Sequence, residues 1–181
     1  DPPRKQHEHA SLIFPKDFLW GTATSAHQVE GNNFFNDWWD WEIRHQPLSM
    51  RSGRACDQYH LYEKDFNLAR SLGHNAHRLS IEWSRIEPEE GKFDEAEIEH
   101  YVKLLKYLKS LNFKVMLTLW HFTLPKWLAD RGGWENGKTV DYFIRFVEKI
   151  VPKLKDDIDL WITINEPGVA VSQGYLVAVW P

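Results

Sequence analysis

Apolar and polar positions along the chain fall into four short buried-type runs, each followed by a longer stretch of helical periodicity. The first run covers about 19–26, and its small residues after Trp20 suit tight packing around a crowded centre. The second begins at His77, with Leu79 and Ile81 apolar, and gives way to the turn sequence Glu87-Pro-Glu-Glu-Gly91. The third is Lys114-Val-Met-Leu-Thr-Leu-Trp120, and the fourth is Leu160-Trp-Ile-Thr-Ile-Asn-Glu-Pro167, charge-free until Glu166. Short apolar runs of this kind, rich in aliphatic, β-branched and aromatic residues, predict strands buried on both faces.

Between the runs the period changes. Residues 57–72 place Tyr59, Tyr62, Phe66, Ala69 and Leu72 on one helical face, and Gly73 offers a stop. Asp94 opens a helix to about Leu111, with Ile98, Tyr101, Leu105 and Leu108 at helical spacing, and Glu97 three residues on resembles a capping box. A third helix covers about 139–151 with Val140, Phe143, Val147 and Ile150 on its face, and Pro152 should end or kink it. Residues 169–179 look like the start of a fourth. The stretch 32–41 is polar and aromatic at once and reads as a functional loop.

The order is therefore βαβαβαβ(α), without a hairpin signal, which implies a parallel sheet in an α/β fold. Two architectures fit: an open doubly wound sheet, or a segment of a (β/α)8 TIM barrel. The turn Trp20-Gly-Thr-Ala-Thr-Ser-Ala26 lacks the G-x-G-x-x-G of the nucleotide-binding version. A βαβ unit needs roughly 30 or more residues, so 181 residues hold four βα units and not eight. A barrel reading makes this a half barrel over 14–181, preceded by a polar segment, 1–13, expected to be a flexible leader.

Composition narrows the function classes. A net charge of -4 and a pI near 6.1 argue against a nucleic-acid footprint, which would need a basic face. No run of 18 apolar residues suggests a membrane span, and the first residues lack the apolar core of a secretory signal. Cys56 is the single cysteine, so no intrachain disulfide is possible, and a reducing, cytoplasmic location is expected. The nine histidines show no convergent ligand set, so neither a metal nor another cofactor is expected. The ten tryptophans are unusual: some fill the core, and others suit stacking platforms for the C–H faces of sugars.

Reactive residues gather just after the apolar runs. Gln28 and Glu30 follow the first, Glu82 and Arg85 the second, His121 the third, and Asn165 and Glu166 close the fourth. Arg78 lies near the start of the second, placed to point inward. In a (β/α)8 barrel the C-terminal strand ends build the active-site floor, so these residues would converge on one pocket. Each has a plainer reading. Glu166 beside Asn165 could cap a helix, His121 could be a satisfied core histidine, and Glu82 with Arg85 nearby reads as an ion pair. Glu30 is ambiguous.

Four separated segments together resemble family 1 of the glycoside hydrolases, the β-glucosidase and β-galactosidase family, over its N-terminal half. They are Phe14-Pro-Lys-Asp-Phe-Leu-Trp-Gly-Thr-Ala-Thr-Ser-Ala-His-Gln-Val-Glu-Gly31, His77-Arg-Leu-Ser-Ile-Glu-Trp-Ser-Arg-Ile-Glu-Pro88, Leu117-Thr-Leu-Trp-His-Phe-Thr-Leu-Pro125 and Trp161-Ile-Thr-Ile-Asn-Glu-Pro167. The resemblance implies a retaining β-glycosidase acting on terminal β-D-glycosides by double displacement. Glu166 would be the general acid/base, Asn165 would bind the sugar 2-hydroxyl, Gln28 and His121 would bind other hydroxyls, and Arg78 would orient the nucleophilic carboxylate.

Two departures bear on those roles. Phe122 stands where the family usually has a Trp, which keeps an apolar wall but removes an N–H donor. The family's nucleophile lies in a Glu-Asn-Gly-type segment near the seventh strand, and no such segment follows Glu166. The implied partners are thus a β-glycoside substrate and a complementary C-terminal half barrel, from the same or a second chain. Two alternatives stay open: a non-catalytic sugar-binding or scaffold fragment, and another (β/α)8 hydrolase family with Asn-Glu on its fourth strand.

Overall fold

A computed structural model describes residues 13–181. The expected leader, 1–13, lies almost wholly outside them. The chain runs through β1 (Gly21–Ala23), α1 (Ala26–Val29), α2 (Asp37–His45), α3 (Gln58–Ser71), β2 (Ala76–Ser80) and α4 (Trp83–Ile86). It continues through α5 (Glu95–Ser110), β3 (Lys114–Trp120), α6 (Lys126–Ala129), α7 (Thr139–Leu154), β4 (Leu160–Ile164) and α8 (Pro167–Ala170), the last followed by a π-helical turn over Val171–Leu176.

The four strands form one parallel sheet in the order β1-β2-β3-β4. A doubly wound sheet would reverse direction at a switch point. Strands stacked in sequence order without reversal are the arrangement of a (β/α)8 barrel, of which these are four βα units. Register assigns the two faces. Ala23, Arg78 and Met116 are neighbours in one row, and Ser80, Thr118 and Ile162 in another, all on the face away from the main helices. Small residues at the start serve close packing: a Cβ on Gly21 would sit 2.4 Å from the Ala76 carbonyl oxygen.

The opposite face carries the core. Leu79, Val115, Leu117 and Leu119 meet the helices α3, α5 and α7 through Phe66, Ile98, Tyr101, Leu105, Leu108, Phe146 and Ile150, all buried. Helix α5 follows its expected stripe, and the Asp94 side chain accepts from the N–H groups of Ala96 and Glu97, an N-cap that fixes its start.

Four expectations are corrected. Helix α7 runs past Pro152 to Leu154, because a proline near the last turn removes only one backbone bond while Leu154 becomes buried. Its buried stripe is Phe146, Ile150 and Leu154, and Val140 is exposed. Residues 32–41 are not simply a loop: Asn36 accepts from the Trp39 N–H and starts α2. On α3 the expected face holds at Phe66, Tyr62 and Ala69 but not at Leu72, 69% exposed at the rim of a cavity it shares with Thr22 and Ala23 of β1. Among the described residues no helix is long and apolar enough to cross a membrane.

Leu117 is fully buried at the centre of the sheet and touches the core from the helix side. Leu117→Ala should therefore cost about 2–5 kcal/mol through lost burial and a residual cavity, read as a lower midpoint in urea unfolding.

Candidate active site

The inner face of the sheet brings Arg78 and Asn165 together. Arg78 Nε donates to Thr118 Oγ1 at 3.1 Å, and Nη2 donates to Asn165 Oδ1 at 2.5 Å. Asn165 is buried, and its backbone N–H donates to the Trp120 carbonyl at 2.9 Å, so it is tied to β3 as well. Glu166 follows at once. Its backbone is left-handed (φ 43°, ψ 58°), a region that side chains other than glycine's seldom occupy. It stands at the N-cap position of α8, yet its carboxylate makes no capping bond. The cap is made by backbone alone, with Val169 and Ala170 N–H groups on the Glu166 carbonyl.

Gln28 and His121 line a second part of the mouth, a cleft of about 280 Å³ after β1 and β3. Gln28 Oε1 accepts from Ser25 Oγ at 2.6 Å. His121 Nδ1 is buried without a partner among the described residues. Burial, reinforced by the nearby Arg78 charge, pushes this imidazole down to about 4. A neutral ring with an unmet nitrogen is suited to a hydroxyl, which can both donate and accept. Glu166 does not line this cleft.

Sequence reasoning missed the other wall. Asn36 Nδ2 donates to His27 Nδ1 at 3.0 Å, which leaves Nε2 to donate to Glu42 Oε1 at 3.0 Å. Glu42 Oε2 accepts from the Ser52 N–H and hydroxyl at 2.7 and 2.8 Å. Burial alone would push the Glu42 carboxyl up, but the His27 and Ser52 hydrogen bonds outweigh it and hold the group below its ordinary value. This chain pins the 46–52 segment against the first strand end. The one signal was His27 inside the first segment; Glu42 lay beyond the stretch read as a loop.

The expected Glu82–Arg85 ion pair is not formed. Arg85 Nε donates to Glu30 Oε2 at 3.0 Å and its Nη2 donates to the Gly31 carbonyl, because the α4 turn carries the guanidinium away from Glu82. Tyr101 Oη adds a 2.7 Å bond to Glu30 Oε1. Burial still leaves the Glu30 carboxyl raised, despite the Arg85 charge and the Tyr101 bond. Glu82 is held by hydroxyls instead, from Ser84 and Thr123.

Polar side chains at the C-terminal ends of a parallel sheet with barrel order define an enzyme-type (β/α)8 mouth. The family model described as glycosyl hydrolase family 1 matches residues 10–181. Among curated relatives, β-glucosidase A of Acetivibrio thermocellus is 37% identical over 94% of this chain and 40% of its own length. The β-galactosidase of Pyrococcus woesei is 34% identical over 91% of this chain and 43% of its own. Among solved structures, a β-glycosidase from Pyrococcus horikoshii superposes with a TM-score of 0.87 at 45% identity, covering 93% of this chain and 39% of that one. The β-glucosidase from Thermotoga maritima in complex with cyclophellitol gives a TM-score of 0.82 at 31% identity, covering 91% and 39%. The chain belongs to glycosyl hydrolase family 1. It spans about two fifths of the length of these relatives.

The His121 ring gives a direct check on the mouth. Its titration midpoint, followed by NMR of ring-labelled histidine, should lie near 4. Arg78→Met should raise it only partway towards the ordinary value of about 6.5, since burial is the larger cause.

Proposed function

We propose that this chain supplies the acid/base half of a retaining β-glycosidase that hydrolyses terminal β-D-glycosides of the β-glucoside type. The observation that carries the reading is the Arg78–Asn165 bond at the end of β4, with the Glu166 carboxylate, unpaired among the described residues, on the next residue. Family membership, and relatives named as β-glucosidases and a β-galactosidase, support the substrate class.

In this mechanism the Glu166 carboxyl donates its proton to the glycosidic oxygen as a second carboxylate attacks the anomeric carbon. The C–O bond to the leaving group breaks and a covalent glycosyl ester forms. Glu166, now ionised, takes a proton from water, which attacks the same carbon and releases the sugar and the second carboxylate. Retention requires the two carboxyl groups about 5–5.5 Å apart. Asn165 holds the 2-hydroxyl, Gln28 and His121 hold other hydroxyls, and Arg78 orients the nucleophile. The reaction needs neither metal nor organic cofactor. A reducing, cytoplasmic setting remains part of the proposal, on the single Cys56.

The nucleophile comes, on this reading, from a complementary C-terminal half barrel, in the same or a second chain. The sheet favours such a partner. β1 and β4 have no further strand beside them among the described residues, and Leu160 on the inner face is 49% exposed. Unpaired edges beside apolar surface recruit other strands. The chain on its own is expected to self-associate, and a clean monomer in sedimentation would count against an open edge.

Glu166→Gln, in protein completed by that half, should lower hydrolysis of a nitrophenyl β-glucoside by roughly 10²–10⁴-fold, the usual contribution of a positioned acid/base. Azide should restore turnover of such activated substrates, because an anion that needs no deprotonation replaces water. Unchanged activity would remove Glu166 from the mechanism.

A further inference from the structure

The residue after His121 has a strained backbone. Phe122 has φ of 70°, and the Thr123 N–H donates to the His121 carbonyl at 2.9 Å. A three-residue bond of this kind around a positive φ is the rare form of the γ-turn. A bulky aromatic residue persists there only where its surroundings over-determine it.

Those surroundings are built from two carboxylates. Thr123 Oγ1 lies 3.0 Å from both oxygens of Glu82, and the Thr123 carbonyl accepts from Trp120 Nε1 at 2.9 Å. On the next residue, the Leu124 N–H donates to Asp37 Oδ1 at 2.9 Å and the Leu124 carbonyl accepts from the Asp37 N–H at 3.0 Å. Glu82 is 1% exposed, and its other side-chain partner is the Ser84 hydroxyl at 2.6 Å. Its own N–H is anchored on Tyr101 Oη at 3.0 Å. A buried carboxylate held by hydroxyls rather than by a cation is costly, and the proposed reaction gives it no task. Asp37 feels its proximity: burial, with the Glu82 charge adding, pushes the Asp37 carboxyl up to about 7.

We propose that Glu82 is a positioning residue whose bond to Thr123 holds the strained turn at Phe122 and so fixes His121 and Phe122 on the wall of the cleft. That this serves sugar binding rests on the function proposed above. The geometry does not, and the test reads His121 without any turnover.

In the full chain, Thr123→Val and Glu82→Leu break the contact from either side. Thr123→Ser and Glu82→Gln keep a polar partner for it. In both breaking variants the His121 midpoint should rise by about one unit or more from its value near 4, as the ring leaves its buried place. Exchange of the Thr123 amide should quicken by about tenfold or more. Both quantities should stay near the parent's in the conserving pair. His77 and His100, also pushed down to about 4, chiefly by burial, serve as controls and should not move. An unmoved His121 in the breaking variants overturns the proposal. So does a common rise of all three histidines, which marks general loosening. If both breaking variants fail to fold while both conserving ones fold, Glu82 is a stability element alone and the assignment is wrong. Absence of glycosidase activity, by contrast, would undo the proposed function and leave this contact standing.

Discussion

A guanidinium on the inner face of a parallel sheet has to find acceptors, and much of the mouth follows from how Arg78 finds them. Its two bonds, to Thr118 on β3 and to Asn165 after β4, join residues 87 positions apart at the far end and cross three strands. A half-buried cation without such partners would be destabilising. The bonds draw the end of β4 in against β3, where the Asn165 N–H also meets the Trp120 carbonyl. They place Glu166 at the strand lip, and the same charge helps keep His121 neutral. One side chain thus helps draw in the end of β4 and adds to the burial that keeps His121 neutral.

The buried carboxylates show how differently one desolvation problem can be met. Glu30 takes a guanidinium, a phenol and an amide. Glu42 takes an imidazole with a serine hydroxyl and N–H. Glu87 takes the Trp83 indole at 2.8 Å, the Gly91 N–H at 2.7 Å and Arg145. Among the described buried carboxylates, Glu82 alone has hydroxyls as its only side-chain partners. A hydroxyl brings a dipole and no charge, so this arrangement compensates least for burial. That contrast singles out Glu82, to which the proposal gives the task of holding the turn at Phe122.

How much of this was legible depended on whether the partners were near in sequence. The third strand was readable to the residue, because an unbroken run from Val115 to Trp120 has one interpretation. Helix α5 was readable from its stripe and its Asp94 cap. The first strand was read too long: only Gly21–Ala23 pairs, since the chain turns at Ser25 into α1. The Glu82–Arg85 pairing failed because neighbours in sequence are separated by the α4 turn, and Arg85 reaches back 55 positions to Glu30. The His27–Glu42–Ser52 chain was invisible for the same reason, being assembled by a helix that begins inside apparent loop sequence. The four strand-end segments located the mouth, and only coordinates could say which of their side chains touch.

The ends of β3 and β4 share a further property that no residue pattern announced. Phe122 and Glu166, each within two residues of its strand end, both hold a positive φ, at 70° and 43°. The two are stabilised by different means. Phe122 is clamped from outside, by side chains acting on the residues that follow it. Glu166 precedes a proline, which by itself disfavours α-type conformations, and its conformation is held from both flanks by backbone: Asn165 N–H on β3, and two helix N–H groups on its own carbonyl. The difference has a chemical consequence. Strain held by backbone leaves the side chain unengaged, which an acid/base group requires. Strain held by side-chain contacts immobilises the turn around them, which suits a wall that must keep an imidazole in place. The sheet thus ends in one fixed edge and one free carboxylate, side by side.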